Sequence, residues 1–301
     1  MKTPESELKL KYKSILLTTF KYVIDFLSTH KLRWFVCGGT LLGAIRHNGI
    51  IPWDDDVDIC MPKDDFDQLL ALKHELLKDN YRLLSLTDQG YYYAHCKIIN
   101  TTTTLWEREC YPYITGVFVD IFPIYQTDLS KDKIIERMNT FKSLFVSYTR
   151  TIKRIPFNDF LRSLLIDHTR VWREYLINKI YYPPKKSAYH FKQYQQYEKI
   201  LNQKEGESSI CYSAFKYGEK EIMKTSYYDD FIVTPFEYFT VRVPIGYHYY
   251  LTQLYGDYMV LPPENERVEE HRELRYYINL KEGLSIREVK RRLKRGEREV
   301  F

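Results

Sequence analysis

The sequence predicts an α/β protein in which a mixed β-sheet is flanked by helices and joined to a mostly helical additional region. Up to about Leu129, short apolar segments with strand character alternate with segments of helical periodicity. Beyond Ser130 the pattern changes to long helices, and strand-like sequence returns near Phe231–Pro244. A chain of 301 residues that is 44% hydrophobic is long enough to bury the core that such a sheet requires.

These changes of pattern divide the chain into three regions. Residues 1–129 are predicted to form a catalytic core and residues 130–210 a helical region, which Pro183-Pro184 and a polar stretch at 202–209 interrupt. Residues 211–301 are expected to complete the active-site cleft and to end in a basic helix. The 28 tyrosines supply amphipathic rings suited to lining a cleft that binds sugars or bases.

A strand, a glycine turn and a helix are predicted in succession near the N-terminus. Apolar residues at helical spacing indicate an amphipathic helix over Glu7–Thr29, and Arg33–Cys37 has the composition of a strand. Gly38-Gly39 stops that strand, and Thr40–Arg46 follows as a short helix. Glycine amides at a helix N-terminus can approach phosphate oxygens because no Cβ obstructs them.

Three aspartates follow on two further strands. Acid and apolar residues alternate over Asp54–Met61, which predicts a half-buried strand with Asp56 and Asp58 on one face. Gly116–Pro123 is an apolar strand interrupted by Asp120, and Pro123 is expected to end it. Since a lone buried carboxylate is costly without a cation, the three acids predict an oxygen-rich site for Mg²⁺, or for Mn²⁺ in its place.

The remaining elements follow from periodicity and from turn residues. Ser285 and Glu288 form a capping box that opens the final helix. The other predicted helices are Lys63–Lys78, Lys131–Arg150, Phe157–Ile180, Tyr189–Leu201 and one that runs to Tyr255, and the other predicted strands are Tyr81–Leu86, Tyr91–Ile99 and Thr102–Glu107.

The glycine turn and the acids lie in two motifs that resemble those of the LicD family. The segments are Gly38-Gly39-Thr40-Leu41-Leu42-Gly43-Ala44-Ile45-Arg46 and Ile51-Pro52-Trp53-Asp54-Asp55-Asp56-Val57-Asp58. Gly116–Pro123, Leu254–Tyr258 and Leu261–Pro263 are also similar to segments of that family, whereas residues 130–209 are not covered. The resemblance implies the nucleotidyltransferase fold.

The resemblance also implies a reaction. LicD-like proteins transfer a phosphorylated alcohol, such as phosphocholine, from a CDP-linked donor to a sugar hydroxyl of a glycan or lipid-linked glycan, and the fukutin relatives use CDP-ribitol. Two alternatives stay open. The first alternative to this LicD-like reaction is an NTP-using nucleotidyltransferase, which would release pyrophosphate, and the second is a relative that has lost turnover.

Roles for individual residues follow from the motifs. Asp56 and Asp58 are expected to coordinate the metal, and Asp120 either completes the site or takes the proton of the acceptor hydroxyl. Gly38, Gly39 and Thr40 would hold the donor phosphates, which Lys97 and Arg46 would also contact. Trp53 would bound the donor pocket, and the acceptor side would be shaped by Asp257, Arg267 and His271. By contrast, His47 and His95 are assigned structural roles, and Cys37 and Cys60 are expected to pack as small apolar residues.

Charge and cysteine content bound the environment of the protein. The sequence predicts a cytoplasmic protein, soluble or peripheral at the inner face of the membrane. Its five cysteines are widely spaced, and it has neither a secretory signal pattern nor an apolar run of roughly 20 residues. Seven basic residues lie between Arg287 and Arg298. They form either a solvated face or a contact with anionic lipid. No nucleic-acid partner is expected, because no aromatic platform accompanies them.

Overall fold

The computed structural model describes residues 4–155, 157, 160–161, 169–202, 210–212, 217–267 and 276–297. Two residues singled out above, His271 and Arg298, lie outside the described residues, as do the polar stretch 203–209 and much of the predicted helix Phe157–Ile180.

The described residues form both helices and strands, as an α/β fold requires. The helices are α1 (Pro4–Thr29), α2 (Gly38–His47), α3 (Lys63–Ala71), α4 (Lys131–Ile152), α5 (Thr169–Tyr181), α6 (Ser187–Leu201), α7 (Tyr247–Tyr255) and α8 (Ile286–Lys294). The strands are β1 (Phe35–Val36), β2 (Asp58–Pro62), β3 (Tyr81–Leu84), β4 (Cys96–Asn100), β5 (Thr104–Trp106), β6 (Phe118–Thr127), β7 (Ile210–Tyr212), β8 (Ile222–Lys224), β9 (Phe231–Phe236), β10 (Phe239–Pro244) and β11 (Tyr277–Asn279). Short 3₁₀ turns occupy Leu72–His74, Leu76–Asp79, Pro184–Lys186, Gly218–Glu221, Thr225–Tyr228 and Glu264–Glu266.

The central sheet is mixed, and its strand order brings the acidic strands together. The order is β1-β2-β6-β4-β3, with β7 and β8 attached at the far end of β6. Strands β2 and β6 run parallel with Asp58 opposite Asp120, whereas the other pairs are antiparallel. The predicted mixed α/β fold is therefore confirmed, and the site acids lie on the two neighbouring strands near its middle.

The prediction that Pro123 ends its strand is wrong, because β6 continues to Thr127. The amide of Asp120 donates to the carbonyl of Val57, on the β2 side of β6. Because amides alternate along a strand, the even-numbered residues of β6 point their amides towards β2, and the odd-numbered residues point theirs towards the edge that pairs with β4 and β7. On that edge β4 pairs only as far as Ile121, and β7 begins at Tyr125. Pro123 lies in the gap between them, where the missing N–H costs no ladder bond.

Two other predicted strands begin later than expected. The predicted strand Asp54–Met61 begins only at Asp58, so the segment 54–57 precedes β2. The reason is that β1, the strand that pairs with β2, ends at the bond from the Cys37 amide to the Asp58 carbonyl, where the chain turns into α2. Similarly, β4 begins at Cys96, where its pairing with β6 begins, and not at Tyr91. The predicted helix Lys63–Lys78 is α-helical only to Ala71 and continues as 3₁₀ turns.

The hydrophobic core lies between the sheet and α1. Side chains at helical spacing on α1, including Leu16, Phe20, Val23 and Leu27, are almost completely buried. Phe20 also meets both Phe236 and Phe239 of the β9–β10 hairpin edge-on, with ring centroids 5.5 Å apart in each pair. Burial of each such side chain contributes about 1.5–3 kcal/mol, so α1 is firmly bound to the sheet that positions the site.

Two smaller clusters attach the peripheral helices. Helices α4 and α6 pack on β6 through Tyr125, Phe141 and Tyr194, and α8 packs through Val289 on Trp106 and Tyr277. The predicted capping of α8 is confirmed, since Ser285 Oγ accepts from the Glu288 amide at 3.3 Å. Among the described residues, no helix is long and apolar enough to cross a bilayer.

Candidate active site

The three predicted aspartates converge at the middle of the sheet. Asp58 and Asp120 are opposite each other on parallel strands, and Asp56 lies two residues before Asp58. One carboxylate oxygen from each of Asp56, Asp58 and Asp120 lies within 4.8 Å of the other two. Such a set of hard oxygen donors could hold a divalent cation of the Mg²⁺ type.

The electrostatics of the cluster are unfavourable without a cation. Burial, followed by the charges of Asp56, Asp120 and Asp54, raises the pKa of Asp58 well above its usual value. Burial and the neighbouring Asp56 likewise raise the pKa of Asp54 to about 8. Both shifts mean that the ionised carboxylates repel one another in a site with little water.

Asp120 differs because it is held in its charged form. Lys97 Nζ lies 2.9 Å from Asp120 Oδ1, and His95 Nε2 lies 3.0 Å from the same oxygen. Although burial opposes ionisation, Lys97 and His95 lower the pKa of Asp120 to about 2. The structure therefore places Lys97 beside an acid of the site, where its ammonium group is 3.2 Å from the centre of the Phe118 ring and the residue is only 1% exposed.

The glycine turn lies directly against the acids. Gly38 adopts a left-handed conformation (φ +54°), and a Cβ there would lie 3.1 Å from Asp58 Oδ2. A Cβ on Gly39 would lie 2.5 Å from Asp54 Oδ2. A side chain at Gly39 would therefore displace Asp54, one at Gly38 would crowd Asp58, and Gly38 also requires glycine for its backbone conformation.

The amides of this turn have different partners. The Gly38 amide donates to Tyr250 Oη at 3.0 Å, whereas the amides of Gly39 and Thr40 are in the first turn of α2, where no intrahelical acceptor exists. The Thr40 hydroxyl accepts from the Asp58 amide at 2.8 Å. Thr40 therefore orients the strand that carries Asp58, while the helix N-terminus faces the acidic site with its positive end.

The acids and the glycine turn line a cavity of about 1260 Å³. Its other lining residues include members of the segment 93–97, Glu107 and Arg108 directly after β5, residues of α4, and residues of the segments 217–228 and 250–266. The predicted residues Arg46, Trp53, Lys97 and Asp257 line it as well. The cavity is large enough for a nucleotide-linked donor together with part of an acceptor.

Arg46 and Arg267 hold one wall of this cavity in place. Arg46 Nη1 donates to the carbonyls of Tyr258 and Val260 at 2.9 and 3.3 Å. Arg267 Nε donates to the Pro262 carbonyl at 2.8 Å, and its guanidinium lies 5.5 Å from the Trp53 ring centre. Both arginines thus fasten the C-terminal segment 257–267 to the motif region.

Several residues of the site were not predicted from the sequence. His95 was assigned a structural role, yet it bonds Asp120, and Glu107 and Tyr250 were not singled out. Glu107 Oε1 accepts from Tyr93 Oη at 2.9 Å and lies 3.7 Å from Lys97 Nζ. The spacing of Tyr93, His95 and Lys97 at every second position was a usable signal, since it places them on one side of an extended segment. Cys37 and Cys60 lie in the core, as expected.

This fold and this site define a class of protein. Residues 31–163 match the family model described as LicD/FKTN/FKRP, nucleotidyltransferase domain. The matched segment contains the glycine turn, β2, β4 and β6, and hence the whole acidic cluster. Residues 31–163 therefore match a LicD-family domain, and the resemblance found in the motifs is confirmed.

Individual relatives extend the similarity beyond that domain. The chain is 27% identical over 275 residues to the lipopolysaccharide cholinephosphotransferase LicD of Haemophilus influenzae, with 88% of this chain and 96% of that protein covered. A shorter match of 41 residues at 51% identity relates it to the ribitol 5-phosphate transferase FKRP of Homo sapiens and of Mus musculus. That match covers 14% of this chain and only 8% of each FKRP protein.

Proposed function

We propose that this protein transfers a phosphorylated alcohol, phosphocholine or a similar group, from a CDP-linked donor to a sugar hydroxyl of a cell-surface glycan precursor. The observation that carries the proposal is the acidic cluster at the floor of a large cleft, with Asp58 and Asp120 in register and the glycine turn against them. The relative named a cholinephosphotransferase, which aligns over most of the chain, supports phosphocholine as the transferred group.

The reaction is a displacement at the phosphorus that bears the alcohol. The acceptor oxygen forms a bond to that phosphorus, and the bond to the bridging oxygen breaks, so that CMP leaves with the electron pair. The proton of the hydroxyl passes to water in the open cleft. No net charge is created, and the products are the phosphodiester and CMP.

The donor set fits Mg²⁺, with Mn²⁺ as a substitute, because it consists of carboxylate oxygens whose mutual repulsion a cation would relieve. Asp56, Asp58 and Asp120 would hold the ion. When bound, it would neutralise diphosphate charge and orient the phosphoryl group. This assignment is chemical and rests on the geometry and charge of the cluster.

The chain's own residues account for binding and orientation. The Gly39 and Thr40 amides at the start of α2 offer donors and a positive helix end to the diphosphate. Trp53, held between His47 and Arg267, bounds the cleft beside the segment 257–267. That segment, which includes Asp257, would shape the acceptor side of the cleft.

Of the two roles predicted for Asp120, the structure favours that of a metal ligand. A general base works best when its pKa is near the working pH, and Lys97 and His95 lower the pKa of Asp120 to about 2. Lys97 Nζ and His95 Nε2 also both contact Oδ1 of this carboxylate. Asp120 is thus better suited to remain charged than to accept a proton.

A release assay tests the proposal. Purified protein is incubated with Mg²⁺, a glycan acceptor and either CDP-alcohols or NTPs, with and without EDTA, and CMP and pyrophosphate are quantified. We expect CMP release from a CDP-alcohol that EDTA abolishes. Pyrophosphate release from an NTP would instead identify a nucleotidyltransferase, and absence of both products with every donor and acceptor would indicate a relative without turnover.

A further inference from the structure

A cluster of tyrosines lines the cleft on the β1 side of the acidic site. Tyr217, Tyr228, Tyr250 and Tyr255 all line the cavity, together with Glu221. Tyr250 is buried, and its hydroxyl accepts a hydrogen bond from the Gly38 amide, which places the cluster next to the glycine turn. Tyr228 meets Phe35 of β1 edge-on, with ring centroids 5.6 Å apart. The cluster therefore lies beside the acids and across the sheet from Lys97 on β4 and from His95, which directly precedes β4.

The pair Tyr217 and Tyr255 offers ring surface and little hydrogen bonding. Their hydroxyls lie 3.0 Å apart and bond each other, and their rings meet edge-on with centroids 5.8 Å apart. Because each hydroxyl already has a partner, the two side chains are better suited to contact an apolar or cationic group than to bind the several hydroxyls of a polyol.

Glu221 lines the same cavity as these rings, and its neighbours in sequence are bonded to α7. Gln253 Nε2 of α7 donates to the carbonyls of Lys220 and Ile222, each at 2.9 Å, on either side of Glu221. The ammonium of Lys220 donates to the Leu254 carbonyl at 3.2 Å. The main chain at Glu221, which lines the cleft, is thus bound to α7 on both sides of this residue.

We propose that Tyr217, Tyr228, Tyr255 and Glu221 form a subsite for a quaternary-ammonium head group on the transferred alcohol, which makes donor choice depend on positive charge. Aromatic faces with a carboxylate bind such cations through cation–π and ionic attraction. The inference rests on the proposed function and narrows it, since a neutral polyol such as ribitol would gain neither interaction.

The test compares CDP-choline with CDP-3,3-dimethylbutanol, its carbon isostere, which has the same shape and no charge. The measured quantity is kcat/KM for CMP release with Mg²⁺ and one acceptor. We expect the wild-type protein to prefer CDP-choline by about tenfold, the range that one or two cation–π contacts and a carboxylate provide. Tyr255→Leu and Glu221→Gln should each reduce this ratio several-fold.

Matched variants separate the subsite from general damage. Tyr255→Phe keeps the ring and should keep the ratio, and Tyr238→Leu removes a tyrosine that is 66% exposed and should change nothing. The subsite is refuted if the wild-type protein has no preference between the two donors. It is also refuted if Tyr255→Leu lowers kcat/KM equally for both donors, a result that would show that the rings bind the CDP part that the donors share.

Calorimetric binding of the two donors, measured with Ca²⁺ in place of Mg²⁺, distinguishes failure of the inference from failure of the proposed function. Tighter binding of CDP-choline without turnover of any donor would support the subsite and overturn the proposed function. Turnover of both donors at equal rates would support the proposed function and overturn the subsite.

Discussion

Asp58 is a residue whose charge is unfavourable for folding and, in our proposal, necessary for function. Its carboxylate lies among those of Asp54, Asp56 and Asp120, which together with burial raise its pKa well above the usual value. Residues of this kind are typical of functional sites, because a structure without a role for the charge would gain stability by replacing it.

Asp58→Asn should therefore abolish turnover while the fold is retained. The amide has the same shape and removes one negative charge from the cluster, so we expect a loss of at least about 10²-fold in kcat and an equal or higher melting temperature in EDTA. The checks are CMP release and thermal unfolding.

Asp67→Asn is the matched control, since Asp67 is an exposed acid on α3 that pairs with Lys63. Its kcat should equal that of the wild type. Retained activity in Asp58→Asn would refute the metal-ligand assignment.

Lys97 is a buried cation whose removal would leave Asp120 with fewer partners. Lys97→Met should lower the free energy of unfolding by about 3 kcal/mol, the cost of breaking a buried pair, whereas Lys21→Met, which breaks a more exposed pair with Asp25, should cost about 0.5 kcal/mol. Urea unfolding measures both values. The double variant Lys97→Met/Asp120→Asn should recover part of the loss, and full additivity of the two single changes would contradict the pairing.

At the scale of elements, the site depends on the close approach of α2 to β2. The turn at Gly38 has a left-handed backbone, and the hydroxyl of Thr40 on α2 receives the amide of Asp58 on β2. The helix N-terminus and the acids are thus positioned by the same few contacts, so a change in the turn should affect the chemistry before it affects the rest of the fold.

Gly38→Ala tests this dependence, with Gly296→Ala as its control. Both glycines have positive φ, so both substitutions should cost about 1–2 kcal/mol of backbone strain. Only at Gly38 would the new Cβ meet Asp58 Oδ2, at 3.1 Å, while a Cβ at Gly296 meets nothing within 4 Å. We expect similar losses of stability and a fall in kcat for Gly38→Ala alone. Equal kcat in the two variants would show that the turn does not position the site.

At the scale of the whole molecule, the acidic cluster makes stability depend on pH and on metal. A carboxyl whose pKa is raised by folding binds its proton more tightly in the folded state than in the unfolded state. The free energy of unfolding therefore falls as the pH rises from the ordinary pKa of the carboxyl, 3.8, to its pKa in the folded state. For Asp54 the folded pKa is about 8, which sets the window at about pH 4 to 8. The lowered pKa of Asp120 changes the free energy of unfolding only below about pH 4, so it does not affect the trend between pH 4 and pH 8.

The gain in melting temperature of Asp54→Asn over the wild type should therefore increase from pH 5 to pH 8 in EDTA. Added Mg²⁺ should raise the wild-type melting temperature more at pH 8 than at pH 5, because more carboxylates are then ionised. Scanning fluorimetry at fixed ionic strength measures both trends. A gain that is constant with pH would contradict the raised pKa of Asp54.

Much of the fold and of the site could be predicted from local pattern. The helices α1, α2, α4 and α8, the glycine turn and the identity of the three acids follow from periodicity, from capping residues and from motif spacing. These features are local, because a helix period, a cap or a glycine turn depends on residues that are neighbours in sequence. The sequence by itself thus determined which acids form the cluster and which family the segment 31–163 resembles.

Only the tertiary structure decided how those residues are paired. That Pro123 lies within β6, that His95 and Lys97 hold Asp120 charged, and that Arg46 bonds to the carbonyls of the C-terminal segment all depend on contacts between distant parts of the chain. The tyrosine cluster with Glu221 likewise assembles from separate segments. Strand register, burial and the resulting pKa values arise from packing between segments, and no local pattern encodes them.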